Sequence, residues 1–224
     1  MSYVSVLPGS FPPGAVVLGP VSMTVDSINN VPTSGNGTSI HTTTGLVSAG
    51  PATALILTYA DGAADTIVSV TFGSTTMEEL GQHLKEGGDN IGVGIFIFPS
   101  GLSGNIVVTF SGNVDNSIMD VISLRNLRRR AAIDQVEDTG VGANIDLPAL
   151  TGADADGIVL VGWANDAAGT PGVWTNAVEI GQAEALATGS KQRHSSAYVL
   201  GIPAGTINAN GATNDQTIVG VALR

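Results

Sequence analysis

Apolar and polar residues alternate with a period of two along most of this chain, and the clearest stretch is Ile91–Leu124. Ile91, Val93, Ile95 and Ile97 alternate with Gly92, Gly94, Phe96 and Phe98. Ile106, Val108 and Phe110 alternate with Val107 and Thr109, and Ile118–Leu124 closes the block. Pro99-Ser100-Gly101 and Ser111-Gly112-Asn113 separate the three runs. A two-residue period, β-branched side chains and Gly/Pro/Asn punctuation predict antiparallel strands, and no helical period competes.

The same marks predict strands at Val21–Val25, Thr38–Thr43, Thr53–Tyr59, Ile67–Phe72, Ile158–Trp163, Trp174–Ala187, Ser196–Ile202 and Thr217–Leu223. Weaker strands are expected at Ala131–Val136 and Ile145–Leu150, and residues 26–37 are expected to form a polar turn. In Thr75–Lys85, Met77, Leu80 and Leu84 have helical spacing, but Gly81 interrupts them, so a strand with a bulge or bend is expected. Roughly a dozen strands with short turns imply an all-β, two-sheet antiparallel β-sandwich of jelly-roll type. Residues 1–20 carry Pro8, Pro12, Pro13 and Pro20, which favour extended backbone without ladder hydrogen bonds. They are expected to form an arm, laid across a neighbouring subunit or strapped over its own domain. Residues 21–224 are expected to form a single β-sandwich domain.

The chain also echoes itself. At a shift of 104 positions Leu46 falls on Leu150, Tyr59 on Trp163, Pro99 on Pro203 and Gly101 on Gly205. In both places an apolar strand ends in an aromatic residue and a tight polar turn. Two similar Greek-key halves contributing to one sandwich would produce this pattern.

Composition narrows the function. Only 12% of residues are charged against 43% apolar, so the surface is largely Thr, Ser, Asn, Gly and Ala. Such a surface suits a chain packed against copies of itself or a scaffold. A net charge of −11 argues against nucleic acid as a partner. With no cysteine, disulfides and thiolate chemistry are excluded. No apolar run approaches the roughly 20 residues of a membrane helix, and no membrane partner is expected. The opening MSYVSVLPGSFPPG lacks the basic start and apolar middle of a signal peptide.

No catalytic, cofactor or metal site is expected. His41, His83 and His194 lack metal-ligand spacing. His194-Ser195-Ser196 has no nucleophile-elbow context, and neighbours on a strand point to opposite faces. Asp154 and Asp156 begin like a calcium loop but lack its later ligands. Asp61, Asp65, Asp154, Asp156 and Asp166 cluster at one end of the sandwich or serve as ordinary turn residues. Arg125, Arg128, Arg129 and Arg130 repel one another and need anions. Those anions belong either to a neighbouring copy or scaffold, or to Asp134, Glu137 and Asp138 of the same chain.

Taken in order, TSIHTTTG, TALILTYADG, VSVTFGSTTM, the FPSGLSGNIVVTFSG block, MDVISL and the closing IVGVALR resemble a family of jelly-roll-like β-sandwich domains. That family occurs in phage virion proteins and bacterial surface proteins. The resemblance spans about Thr38 to Arg224, and it departs at residues 1–30 and at the Arg cluster. It implies a structural virion protein, most like a phage capsid decoration (cement) protein, assembled in the host cytoplasm onto the outer capsid surface. The implied partners are the major capsid protein and copies of the chain itself, as a homo-oligomer such as a trimer. The expected interface residues are Arg125, Arg128, Arg129 and Arg130, with Tyr3, Val4, Leu7 and Phe11 of the arm. The alternative is a host-recognition or carbohydrate-binding module of a tail fibre or surface adhesin, with Trp174 as the glycan contact if it lies exposed in a groove.

Overall fold

The computed structural model describes residues 19–32, 38–43, 46–47, 52–61, 63–85, 90–98, 103–128, 132, 134–166, 172–186 and 191–224. The strands in the first half are β1 (Ser22–Pro32), β2 (Thr38–Thr42), β3 (Leu46–Val47), β4 (Ala52–Asp61), β5 (Ile67–Phe72) and β6 (Thr75–Thr76). They continue with β7 (Glu78–Lys85), β8 (Asn90–Phe98), β9 (Ser103–Gly104), β10 (Ile106–Val114) and β11 (Asn116–Arg125). The second half holds β12 (Asp134–Asp146), β13 (Ile158–Asn165), β14 (Val173–Thr175), β15 (Val178–Leu186), β16 (Lys191–Leu200) and β17 (Asn208–Leu223). Every pairing among them is antiparallel. The protein is the all-β sandwich that the alternating pattern predicts.

The sandwich is built twice. A central sheet, β1-β11-β4-β8-β7, packs against β2-β10-β5-β6 on one side and against β12-β17-β13-β16-β15 on the other. Alternation in β4 divides its side chains between the two. Leu55, Leu57 and Tyr59 enter the core shared with Phe72, Val108 and Phe110. Ala54, Ile56 and Ala60 enter the core shared with Leu160, Val219 and Val221. This explains why β4, β8 and β11 read as near-continuous apolar runs: their sheet is covered on both faces. A third core, around Val161, Trp163 and Ile218, lies on the far face of the third sheet.

The internal echo corresponds to a repeated topology. Numbered in chain order within each half, the strands of the central sheet and of the third sheet both run first, fifth, second, fourth, third. Faces correspond too: Ala54, Ile56 and Ala60 match Ile158, Leu160 and Ala164 in the shared core, while Tyr59 matches Trp163 in the outer cores. Outside the ladders, Thr43 N donates to Ile106 O at 2.9 Å and Leu147 N to Ile207 O at 2.8 Å. β12 thus does the work of β1 and β2, and β17 that of β10 and β11. Each half also carries a bulge with the same Glu-x-Gly-Gln sequence, Glu79-Leu80-Gly81-Gln82 in β7 and Glu179-Ile180-Gly181-Gln182 in β15, but the ladders set the second two rungs from the level of the first.

Some expectations change. Residues 26–32 continue β1 along β11 instead of turning, and residues 137–144 belong to one long β12. β1 and β12 lie at sheet edges, where one ladder suffices and a polar sequence is tolerated. Residues 147–150 are not a strand, and the segment Trp174–Ala187 is split by Asn176, at φ 59°. Thr75–Lys85 is strand with a bulge, as expected.

Candidate functional site

The most polar buried cluster sits in the seam between the halves. His194 and Ser196 lie two apart on β16 and so share a face; Ser195 points the other way. His194 Nε2 lies 2.7 Å from Asp120 Oδ2, and Ser196 Oγ donates to the same oxygen. In the neutral tautomer with its proton on Nε2, His194 accepts the Thr58 hydroxyl at Nδ1, 2.9 Å away. Thr58 in turn accepts Gln192 Nε2 at 2.5 Å. Carboxylate, imidazole and hydroxyl stand in the order that activates a nucleophile, but Asp120, His194, Thr58 and Ser196 are all 0% exposed. A substrate has no access to them in this conformation. The cluster instead joins β4 and β11 of one half to β16 of the other. At the seam's edge, His83 meets Glu137 at 3.2 Å and Lys85 meets Asp215 at 3.8 Å.

The surface with interaction character lies at the end of the molecule where the described chain begins. Val21 N donates to Asp156 O at 3.0 Å, and Gly201 N donates to Gly157 O at 2.9 Å. One turn, 154–157, therefore anchors both the root of the N-terminal segment and the end of β16. Beside it opens a hollow of about 480 Å³ lined by Val178, Tyr198, Leu200, Ile202, Asn176 and Ala177, among others. Val178, Leu200 and Ile202 are 56%, 52% and 63% exposed. Exposed apolar side chains grouped around a hollow mark contact surfaces. Ion pairs stand around the turn: Arg128 with Asp156 at 3.5 Å and Arg224 with Asp154 at 3.1 Å.

The predicted site residues fall as follows. Arg125 ends β11 and is exposed; Arg128 pairs with Asp156, a partner not among those expected. Asp134, Glu137 and Asp138 are otherwise engaged, with the 151–152 turn, His83 and Thr139 N respectively. Arg129, Arg130, Tyr3, Val4, Leu7 and Phe11 lie outside the described residues. Trp174 is half-buried: its Nε1 donates to Ser195 Oγ at 2.7 Å, and its ring packs on the third core. The aspartates do not converge. Asp65 accepts from Ser111 Oγ, Asp154 accepts from Asp156 N, and no group among the described residues is placed to hold a metal ion. The Asp61 side chain lies outside the described residues.

Three groups among the described residues have displaced pKa values; that of Arg193 is lowered by burial. Burial of His41, 1% exposed, pushes its pKa below 6.5 against the opposing pull of backbone contacts with Val114 and Thr38. Its ring lies 2.5 Å from Ser117 Oγ and 3.1 Å from Val114 O, tying β2 to the central sheet. For Asp134, burial pulls the pKa upward, but hydrogen bonds from Gly152 N, Thr151 N, Thr151 Oγ1 and Gln135 N outweigh it and hold the carboxyl below 3.8.

Sequence reasoning missed Asp120 and the open end of the second half. Asp120 sits inside an apolar run, MDVISL, where a lone carboxylate on an inward face was the available signal. Comparison with protein-family models, with curated proteins and with solved structures gives no match.

Proposed function

We propose that this chain is a structural assembly protein, a decoration or cement protein that binds across neighbouring subunits of a phage capsid and stabilises the shell from outside. The reading rests on the resemblance of the ordered sequence blocks to virion β-sandwich domains and on the weakly charged composition. The observation that carries it is the apolar hollow at the end of the second half, rimmed by exposed Val178, Leu200 and Ile202. An apolar centre with a polar and ionic rim is the make-up of protein–protein interfaces. In this reading the N-terminal segment and the Arg125–Arg130 loop reach the neighbouring subunits, and the protein works as a homo-oligomer. The glycan-binding alternative gains no support from Trp174, whose N–H is taken by Ser195.

The test uses shells lacking the protein. Purified chain is added, and shell occupancy and resistance to heat are measured with and without residues 1–18. Saturable coating that toughens the shell is expected for the full chain, with a large loss on truncation. A chain that ignores shells but binds cells or glycans would replace this reading with the recognition module.

A further inference from the structure

The buried relay in the seam ends on a group of the chain itself. Gln192 is 1% exposed, and its side-chain amide lies against Thr58, with Nε2 2.5 Å from Oγ1. An amide C–N bond is about 1.33 Å long, so Gln192 Cδ stands within about 3.8 Å of the Thr58 oxygen, close to a near-attack arrangement. Behind Thr58 stands a base. The Asp120 carboxylate only accepts, so it holds the ring proton of His194 on Nε2, 2.7 Å away. His194 Nδ1 is left with its lone pair facing the Thr58 hydroxyl at 2.9 Å. Ser196 Oγ, donating to the same Asp120 oxygen, fixes the carboxylate.

The duplication shows that the fold does not call for these residues. The ladders set Thr58 level with Gly162, Asp120 with Val221, His194 with Ile91 and Ser196 with Val93 in the equivalent strands. The other half therefore fills the same places in the shared core with apolar side chains and a glycine. Burying a carboxylate, an imidazole and an amide there is costly, and buried ionic pairs are weak support for stability. Their order in space has a chemical explanation instead.

We propose that this site closes a covalent bond within the chain, an ester between Thr58 Oγ1 and Gln192 Cδ that joins β4 of the first half to β16 of the second. His194 Nδ1 takes the Thr58 hydroxyl proton as Oγ1 attacks Cδ, and Asp120 stabilises the imidazolium so formed. The tetrahedral intermediate collapses with cleavage of the Cδ–Nε2 bond, and His194 returns the proton to the departing nitrogen, which leaves as ammonia. One C–O bond forms, one C–N bond breaks, nothing is oxidised or reduced, and no co-reactant is required. Loss of ammonia to bulk solvent draws the exchange of amide for ester forward. The burial that bars an outside substrate is no obstacle to a substrate built into the core, and it keeps water from hydrolysing the product. Gln192 Oε1 is buried with no hydrogen-bond donor among the described residues, so the oxyanion is unsupported. That suits a bond made once and slowly. The ester ties together positions 134 residues apart, and it does not depend on the assembly reading.

The full chain, folded at neutral pH, is denatured and its intact mass measured. A value below the sequence mass by one ammonia, about 17 Da, is expected. Proteolysis should yield one branched peptide containing Thr58 and Gln192, and mild hydroxylamine should release its Gln192 arm as the hydroxamate. A chain at its full sequence mass overturns the proposal. So does a loss that maps to Asn36 or Asn210, each followed by glycine, where closure to a succinimide also expels ammonia. Thr58→Val removes the nucleophile at nearly the same volume and should keep the full mass, whereas Thr58→Ser should lose ammonia as the unmodified chain does. His194→Gln should slow the loss by about 100-fold or more, with the urea midpoint reporting that each variant folds. A folded Thr58→Val or His194→Gln chain that cross-links at the normal rate overturns the roles given to these residues. The branched peptide from the unmodified chain decides the matter even where a variant fails to fold.

Discussion

The two halves solve one packing problem with different materials. In the first, Tyr59 meets Phe110 at a tilt of 54° with ring centroids 5.1 Å apart, and Gly92 lies against the Tyr59 ring. In the second, Trp163 takes the place of Tyr59 and Gly211 that of Phe110; a Cβ at Gly211 would lie 2.5 Å from the Trp163 ring. A large ring beside a small residue and two medium rings fill the same volume, which is how cores diverge while a fold is kept. At the far end the compensation fails. Asn176 stands level with Phe72 and Gly201 with Phe98, and Val178, Leu200 and Ile202 are exposed at this end of the second half. The halves therefore differ most in exposed apolar surface at this end.

The seam is where the comparison is easiest to break. Asp120→Ala leaves His194 and Ser196 buried without their shared acceptor, and a loss of about 1–3 kcal/mol for each orphaned donor is expected from urea unfolding. The outer cores give a sharper test. Gly211→Phe alone should cost about 1–3 kcal/mol through collision with Trp163. Combined with Trp163→Tyr, which transplants the first half's pair, it should recover part of that loss. A double-mutant cycle with no coupling would show that the two positions are not equivalent to Tyr59 and Phe110.

A smaller effect comes from pH. The unfolded chain protonates His41 near 6.5, whereas the folded ring resists protonation until lower pH. Its contribution is therefore complete above pH 6.5 and declines as pH falls below it. Urea midpoints should drop between about pH 8 and about pH 5.5, and His41→Gln should flatten that part of the profile. The smallest effect belongs to the half-exposed pair Arg128–Asp156: Arg128→Ala should change stability by no more than about 0.5 kcal/mol.

Much of the fold was legible because burial leaves a period in the sequence. Ile91–Phe98 and Ile118–Leu124 announce strands with two covered faces, and Gly81 announces the bulge in β7. Edge strands leave no such trace: β1 beyond Val25 and most of β12 are polar, since only their backbones are required to pair. The repeat was visible at one shift, through Tyr59 and Trp163, but the Glu-x-Gly-Gln bulges recur at a shift of 100 and escaped notice. The hollow was hidden for the same reason. Asn176 and Gly201 look like ordinary turn residues until the ladders set them level with Phe72 and Phe98. Among the site residues, the pairing of Arg128 with Asp156 brings together segments far apart in sequence, and only the turn at 154–157 explains it.

Hydrogen–deuterium exchange of the protein, free and then assembled on its shell, tests most directly whether the open end of the second half is the working surface. The account predicts new protection concentrated at residues 173–178 and 200–206, with 67–76 and 96–98 unchanged. Protection confined to the first half, or spread equally over both, would contradict it.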